Sequence, residues 1–120
     1  MLLATVGRMD RDTSSAYGYL GIAYADLQQP QDALNNLQEG LAINIALLGP
    51  QHPYVAYSHN DIGVVYFRQL RDADARENFI IAKRILVMQY GLADPRTKRI
   101  EKNLAALEMD PACRPPAEFQ

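Results

Sequence analysis

A chain of 120 residues, 48% of them apolar and 22% charged, can build one small packed domain and is too apolar for wholesale disorder. The formal net charge of −2 argues against the strongly basic face of a nucleic-acid binder, though net charge leaves room for a local basic patch. The lone Cys113 cannot staple a fold, no stretch nears the roughly 18–20 apolar residues that span a bilayer, and Met1–Gly7 is too short and lacks the basic start of a signal peptide, so a cytoplasmic protein without membrane contact is expected.

Self-comparison organises the rest of the sequence. Displacing the chain by 42 residues superposes Gly21 on Gly63, Tyr24 on Tyr66, Asp32 on Asp74, Ala33 on Ala75, Asn36 on Asn78, Ile43 on Ile85, Gly49 on Gly91 and Pro53 on Pro95. Roughly two or three such coincidences would arise by chance from average composition. Residues 1–10 read as the remnant of an earlier helix and its loop, and residues 11–52 as a first repeat of two helices. In the first helix Ala16, Leu20, Ala23, Tyr24 and Leu27 share one stripe. The second is expected from Pro30 to about Leu48, with Ala33, Leu37 and Leu41 on one stripe and Leu34, Ile45 and Leu48 beside it. Pro30 suits a first turn, Gly49 can take a positive φ, and Pro50 forbids continuation.

Residues 53–94 repeat the plan, with helices from Pro53 to about Gln69 and from about Asp72 to Tyr90. Residues 95–108 read as a lone first helix capped by Asp94, with Ile100, Leu104 and Leu107 inward and Lys98, Glu101, Lys102 and Glu108 in water, which suits a capping half-repeat. The tail, residues 109–120, contains Pro111, Pro115 and Pro116 and is expected to be disordered. Gly21 with Gly63, Ala33 with Ala75 and Gly40 with Ala82 place short side chains where helices must approach closely.

These positions carry a resemblance. Tyr17-x-x-Leu20-Gly21-x-x-Tyr24 with Ala33, Leu37 and Gly40, and His59-x-x-Ile62-Gly63-x-x-Tyr66 with Ala75, Phe79 and Ala82, resemble the tetratricopeptide repeat. The 42-residue period and the segment Leu48-Gly49-Pro50-Gln51-His52-Pro53-Tyr54-Val55-Ala56 are similar to the kinesin light chain subclass. The resemblance implies an all-α, right-handed α-solenoid of stacked antiparallel helix pairs, about two and a half repeats long. It also implies a non-catalytic scaffold whose first helices line a concave groove for a peptide segment of a partner protein. The groove register of the family, carried onto this chain, falls on Ser15, Gly18, Ile22, Ala25 and Asp26, then Tyr57, Asn60, Val64, Phe67 and Arg68, then Arg99, Lys102 and Ala106.

From that register, Ile22, Asp26, Tyr57, Asn60, Val64, Phe67, Arg68, Arg99 and Lys102 are the expected peptide-binding residues. Ile22, Val64 and Phe67 would form an exposed apolar strip, Asn60 could hold a peptide main chain, and Arg68, Arg99 and Lys102 would favour an acidic partner. Kinesin light chains take short peptides with an aromatic residue among acidic ones, so the resemblance implies a partner of that kind. The alternative expectation is a structural module that self-associates through its N-terminal edge, or a part of a larger regulator or adaptor.

Catalytic and metal chemistry find no constellation. His52 and His59 lie seven apart across a helix boundary, and Cys113 sits in the tail, so no metal pair is expected. Ser14 and Ser15 have no base near in sequence and no nucleophile-elbow glycines, and no glycine run leads into a Lys-Ser or Lys-Thr phosphate loop. No enzyme activity and no cofactor are expected.

Overall fold

A computed structural model describes residues 10–120, so the helix remnant expected near the N-terminus lies, but for residue 10, outside the described residues. Five α-helices follow in order: α1 (Arg11–Asp26), α2 (Pro30–Leu48), α3 (Pro53–Arg68), α4 (Asp72–Tyr90) and α5 (Pro95–Leu107), then a single 3-10 turn, Pro111–Cys113. Among the described residues there is no strand.

Local chemistry sets each boundary, and it does so twice. Asp10, His52 and Asp94 precede α1, α3 and α5, and each accepts a main-chain N–H with its side chain: Thr13 at 2.8 Å, Tyr54 at 3.1 Å and Arg96 at 2.9 Å. Proline occupies the first turn of α2, α3 and α5, where no N–H is needed. Helix α1 ends in a Schellman turn, in which Gln29 N–H donates to Tyr24 O and Gln28 N–H to Ala25 O. Helix α3 ends in the same turn one repeat later, with Arg71 N–H on Tyr66 O and Leu70 N–H on Phe67 O. The pivot residues Gln28 (φ 60°) and Leu70 (φ 62°) are left-handed without being glycine. Replacing Gln28 by glycine is therefore expected to stabilise the chain by about 0.5–1 kcal/mol, since an L side chain costs energy in that region. Chemical denaturation checks this, and a loss of stability in Gln28→Gly would contradict it.

Glycine is required after the second helices. Gly49 (φ 87°, ψ 158°) and Gly91 (φ 87°, ψ 171°) occupy a region that residues with a side chain essentially avoid. The closing N–H of each donates to the carbonyl four residues back, Ile45 and Val87.

The helices form two hairpins, α1 on α2 and α3 on α4, with α5 packed on α4. The first helices also touch one another, α1 on α3 and α3 on α5, so these three share one face of the stack. Contact between hairpin arms is closest at the small residues. A methyl built on Gly63 would lie 2.7 Å from the Phe79 ring, and one on Gly21 would lie 2.5 Å from Leu37 Cγ. The core divides accordingly. Val55, Phe79, Leu86 and Ile100 centre a cluster shared by α3, α4 and α5, while Leu34, Leu37, Ile62 and Val65 centre one shared by α1, α2 and α3.

Two expectations need correction. The stripe assigned to α1 is not its buried face: Ala16, Leu20, Ala23 and Leu27 are exposed, only Tyr24 of the five packs against the core, and Ser14, Gly21 and Ala25 are buried instead. Helix α1 has α2 and α3 against it but no described helix on its outer side, so Tyr19, Leu20 and Leu27 meet water. The second correction concerns the tail, which is ordered against the helices. Ala117 is buried in the α3–α4–α5 cluster, and Phe119 packs against both clusters.

Candidate functional site

The face shared by α1, α3 and α5 is built from residues that helical periodicity turns the same way. Asn60 and Asp61 lie in the middle of α3, and Asn103 lies four residues beyond Arg99 and three before Ala106 on α5. All three are buried, Asn60 completely. Buried amides must find partners or the fold loses about 1–3 kcal/mol for each orphaned group.

They find them in the tail. The Asn103 carboxamide grips both main-chain groups of Glu118, accepting its N–H at 3.0 Å and donating to its carbonyl at 3.0 Å. Asn60 donates to the same carbonyl at 2.9 Å, and its own oxygen accepts the second Asn103 hydrogen at 2.8 Å. The remaining Asn60 hydrogen points to Asp61 at 3.4 Å, and Asp61 accepts the Gln120 N–H at 2.9 Å. All four N–H hydrogens of the two carboxamides are thus used, and each oxygen accepts one hydrogen bond.

The tail is read at alternate residues, as an extended chain presents itself. Ala117 and Phe119 turn into the apolar clusters. Glu118 and Gln120 turn to Arg99, whose Nε lies 3.4 Å from the Glu118 carboxylate and whose Nη1 donates to Gln120 Oε1 at 3.4 Å. The Arg68 guanidinium lies over the Phe119 ring, 4.7 Å from its centre, and pairs with Asp26 at 3.2 Å. That ion pair is largely exposed and adds little stability by itself.

Further back, Arg114 anchors the tail. It forks onto the Asp72 carboxylate at 2.7 and 3.0 Å and donates to Leu107 O at the end of α5. The hydrogen bonds from Arg114 hold the Asp72 carboxyl below the usual carboxylate range. Asp61 is shifted the other way: burial pushes its carboxyl up to about 7, against the pull of the N–H donors on Gln120 and Asn60.

The expected site residues divide clearly. Asn60, Arg68 and Arg99 meet the tail, and Asp26 meets Arg68. Val64 and Phe67 do not form an exposed strip with Ile22. Both are buried, because Val64 is enclosed in the core and Phe67 packs in the cluster with Ala117 under the Arg114 guanidinium, which lies 5.3 Å from the Phe67 ring centre. Ile22 and Tyr57 line an adjoining cavity of about 300 Å³ between α1 and α3, bordered by Asp61 and Gln120. Lys102 is exposed, as its place in water implies, and the neighbouring Asn103 is the residue that reaches the tail. Asn103 and Arg114 escaped the reading of the sequence, and Asp61, beside Asn60, was not among the expected binding residues. Asn103 could have been found from its spacing to Arg99 and Ala106, which puts it on their face. Of the histidines, His52 caps α3 and His59 bonds Asn78 at 3.0 Å.

Helix pairs stacked in register, with first helices sharing a face against which a polypeptide segment lies, define a helical-repeat scaffold. The chain belongs to the tetratricopeptide repeat family, whose profile matches residues 12–86. A search of curated proteins returns no match. Proteins of this family serve in general as protein–protein interaction scaffolds and are generally non-catalytic. Among the described residues there is no cluster of three or more metal-ligating side chains, and no helix is long and apolar enough to cross a membrane.

Proposed function

We propose that the α1–α3–α5 face binds a short extended segment of a partner protein, without catalysis. The observation that carries this reading is the Asn60–Asn103 pair, which engages main-chain groups of the tail rather than a particular side chain. Such a device accepts any sequence that can lie extended, and side-chain preference comes from its surroundings. Arg99 favours an acidic residue, and Arg68 over the Phe119 ring favours an aromatic one next to it. An acidic peptide with an aromatic residue fits this chemistry, as does a role like that of kinesin light chain adaptors in a cytoplasmic setting. The cavity beyond Gln120 leaves room for a longer ligand. One of its walls carries Asn44 Oδ1, a buried acceptor with no partner among the described residues.

Panning the full chain against a displayed library of random peptides tests the proposal. Selected peptides are expected to bind with micromolar affinity, near −8 kcal/mol. Asn60→Ala combined with Arg68→Glu is expected to weaken them at least ten-fold while helicity is retained. Peptides that bind the double variant undiminished would place the site elsewhere.

A second reading, self-association, has one observation in its favour: Leu20 and Leu27 of α1 are exposed on its outer side. Light scattering that shows a stable monomer at all concentrations, with cooperative unfolding, removes it.

A further inference from the structure

We infer that residues Ala117–Gln120 are a built-in occupant of the groove, so that a partner segment binds only in exchange for them. This rests on the peptide-binding reading above and adds its regulation.

The first argument is exclusivity. Both Asn103 hydrogens, both Asn60 hydrogens and both amide oxygens are committed when the tail is docked, most of them to Glu118 or to each other. The Gln120 N–H uses Asp61, Arg99 is divided between Glu118 and Gln120, and Arg68 is covered by Phe119. A second extended chain finds no free N–H donor on this pair and both oxygens already engaged, so cis and trans segments compete for one site.

The second argument is that the tail is built to exchange. Its anchor and its docked residues are separate: Arg114 is held by Asp72 and the end of α5, while Ala117–Gln120 are held by α3 and α5. Pro115 and Pro116 join the two parts and are themselves exposed. Two consecutive prolines stay extended when free, which lowers the entropy lost on docking and holds the docked residues within a few residues' reach of the groove. Releasing Ala117–Gln120 frees the groups of both asparagines that bond Glu118, the Arg99 guanidinium and the face of Arg68 on Phe119, while the Arg114 anchor can remain. The alternation of Ala117 and Phe119 inward with Glu118 and Gln120 towards Arg99 is the pattern of a bound peptide strand, not of a chain end collapsed at random.

A short tether places the tail at an effective concentration on the order of 1 mM. If a free copy of the tail binds with a dissociation constant about ten-fold below that, the docked tail weakens any competitor by about ten-fold. The test uses the full chain and two variants. Phe119→Ala removes the aromatic anchor, and Glu118→Pro deletes the N–H that Asn103 accepts while leaving every groove residue intact. The probe is a labelled peptide copying residues 114–120, titrated by fluorescence anisotropy, together with the peptides selected by panning. Both variants are expected to bind about ten-fold more tightly than the parent chain, and the Glu118 and Gln120 amides of the parent to be protected from hydrogen exchange.

Equal affinity of parent and variants for the selected peptides overturns the inference and leaves the groove reading standing. Unprotected amides in the parent overturn it as well. Protected amides with no peptide bound by any of the three chains sink the groove reading and the exchange with it. Protection that disappears on dilution, as a dimer dissociates, shows a tail exchanged between copies and overturns the cis assignment.

Discussion

Replacing Phe79 by alanine is expected to lower the stability of the chain by about 3–5 kcal/mol, or roughly 12–20 °C in melting temperature for a domain of this size. Phe79 is the largest of the fully buried side chains and lies in the α3–α4–α5 cluster. Its ring lies against the bare backbone of Gly63, where an added methyl would stand 2.7 Å from one ring carbon and 2.8 Å from another. Leucine holds the corresponding place in the first repeat, with Leu37 against Gly21. The pairing makes a sharper forecast than the single substitution. In the parent chain Gly63→Ala is expected to destabilise by about 1–3 kcal/mol, since a rigid enclosed ring cannot yield. In the Phe79→Ala background the same change should stabilise by about 1 kcal/mol, because the clash is gone and alanine is the better helix former. A double-mutant cycle by urea denaturation reads this directly. If Gly63→Ala has the same sign in both backgrounds, the ring-on-glycine account of the hairpin is wrong.

Much of the fold was legible because each repeat marks its own boundaries. Capping side chains, first-turn prolines and the glycines at 49 and 91 are local signals, and a period of 42 residues states each of them twice. Burial was less legible, because it depends on what stands beside a helix. The stripe Ala16, Leu20, Ala23 and Leu27 has the right spacing for a core, yet α1 has described neighbours on one side only. On α5 the inward placing of Ile100 and Leu107 holds, but the residue that reaches the tail is Asn103 and not the neighbouring Lys102 of the expected groove register. A polar helix offers few apolar marks by which to orient it, and a buried asparagine looks like a surface residue until its partner is known. The tail misled through composition. Pro111, Pro115 and Pro116 suggest disorder, whereas the informative feature was the alternation of Ala117, Glu118, Phe119 and Gln120, four residues at strand period with no sheet to join.

Asp61 ties the site to pH. Its carboxyl titrates near 7 in the fold, well above the ordinary range for an unfolded aspartate. A folded pKa that is raised favours the protonated form, so the stability it contributes is present at low pH and is lost as pH rises through about 7. Between pH 5 and pH 8 the parent chain is expected to lose about 2–3 kcal/mol on this account. That window lies above the titration of Asp94, which Arg96 holds down to about 2, and of Asp72, held low by Arg114. Asp61→Asn keeps an oxygen for the Gln120 N–H and removes the charge. It should remove the Asp61 part of this slope and be the more stable chain at pH 8 by a similar amount. Denaturation curves with parallel pH dependence in parent and variant would dispose of the claim. The slope also reports on the tail, whose Gln120 amide lies against this carboxyl. Glu118→Pro, which loosens the tail, opens Asp61 to water and should shrink the slope. A cleft that water enters no longer resists the charge, so occupancy of the groove and the titration of its buried carboxylate rise and fall together.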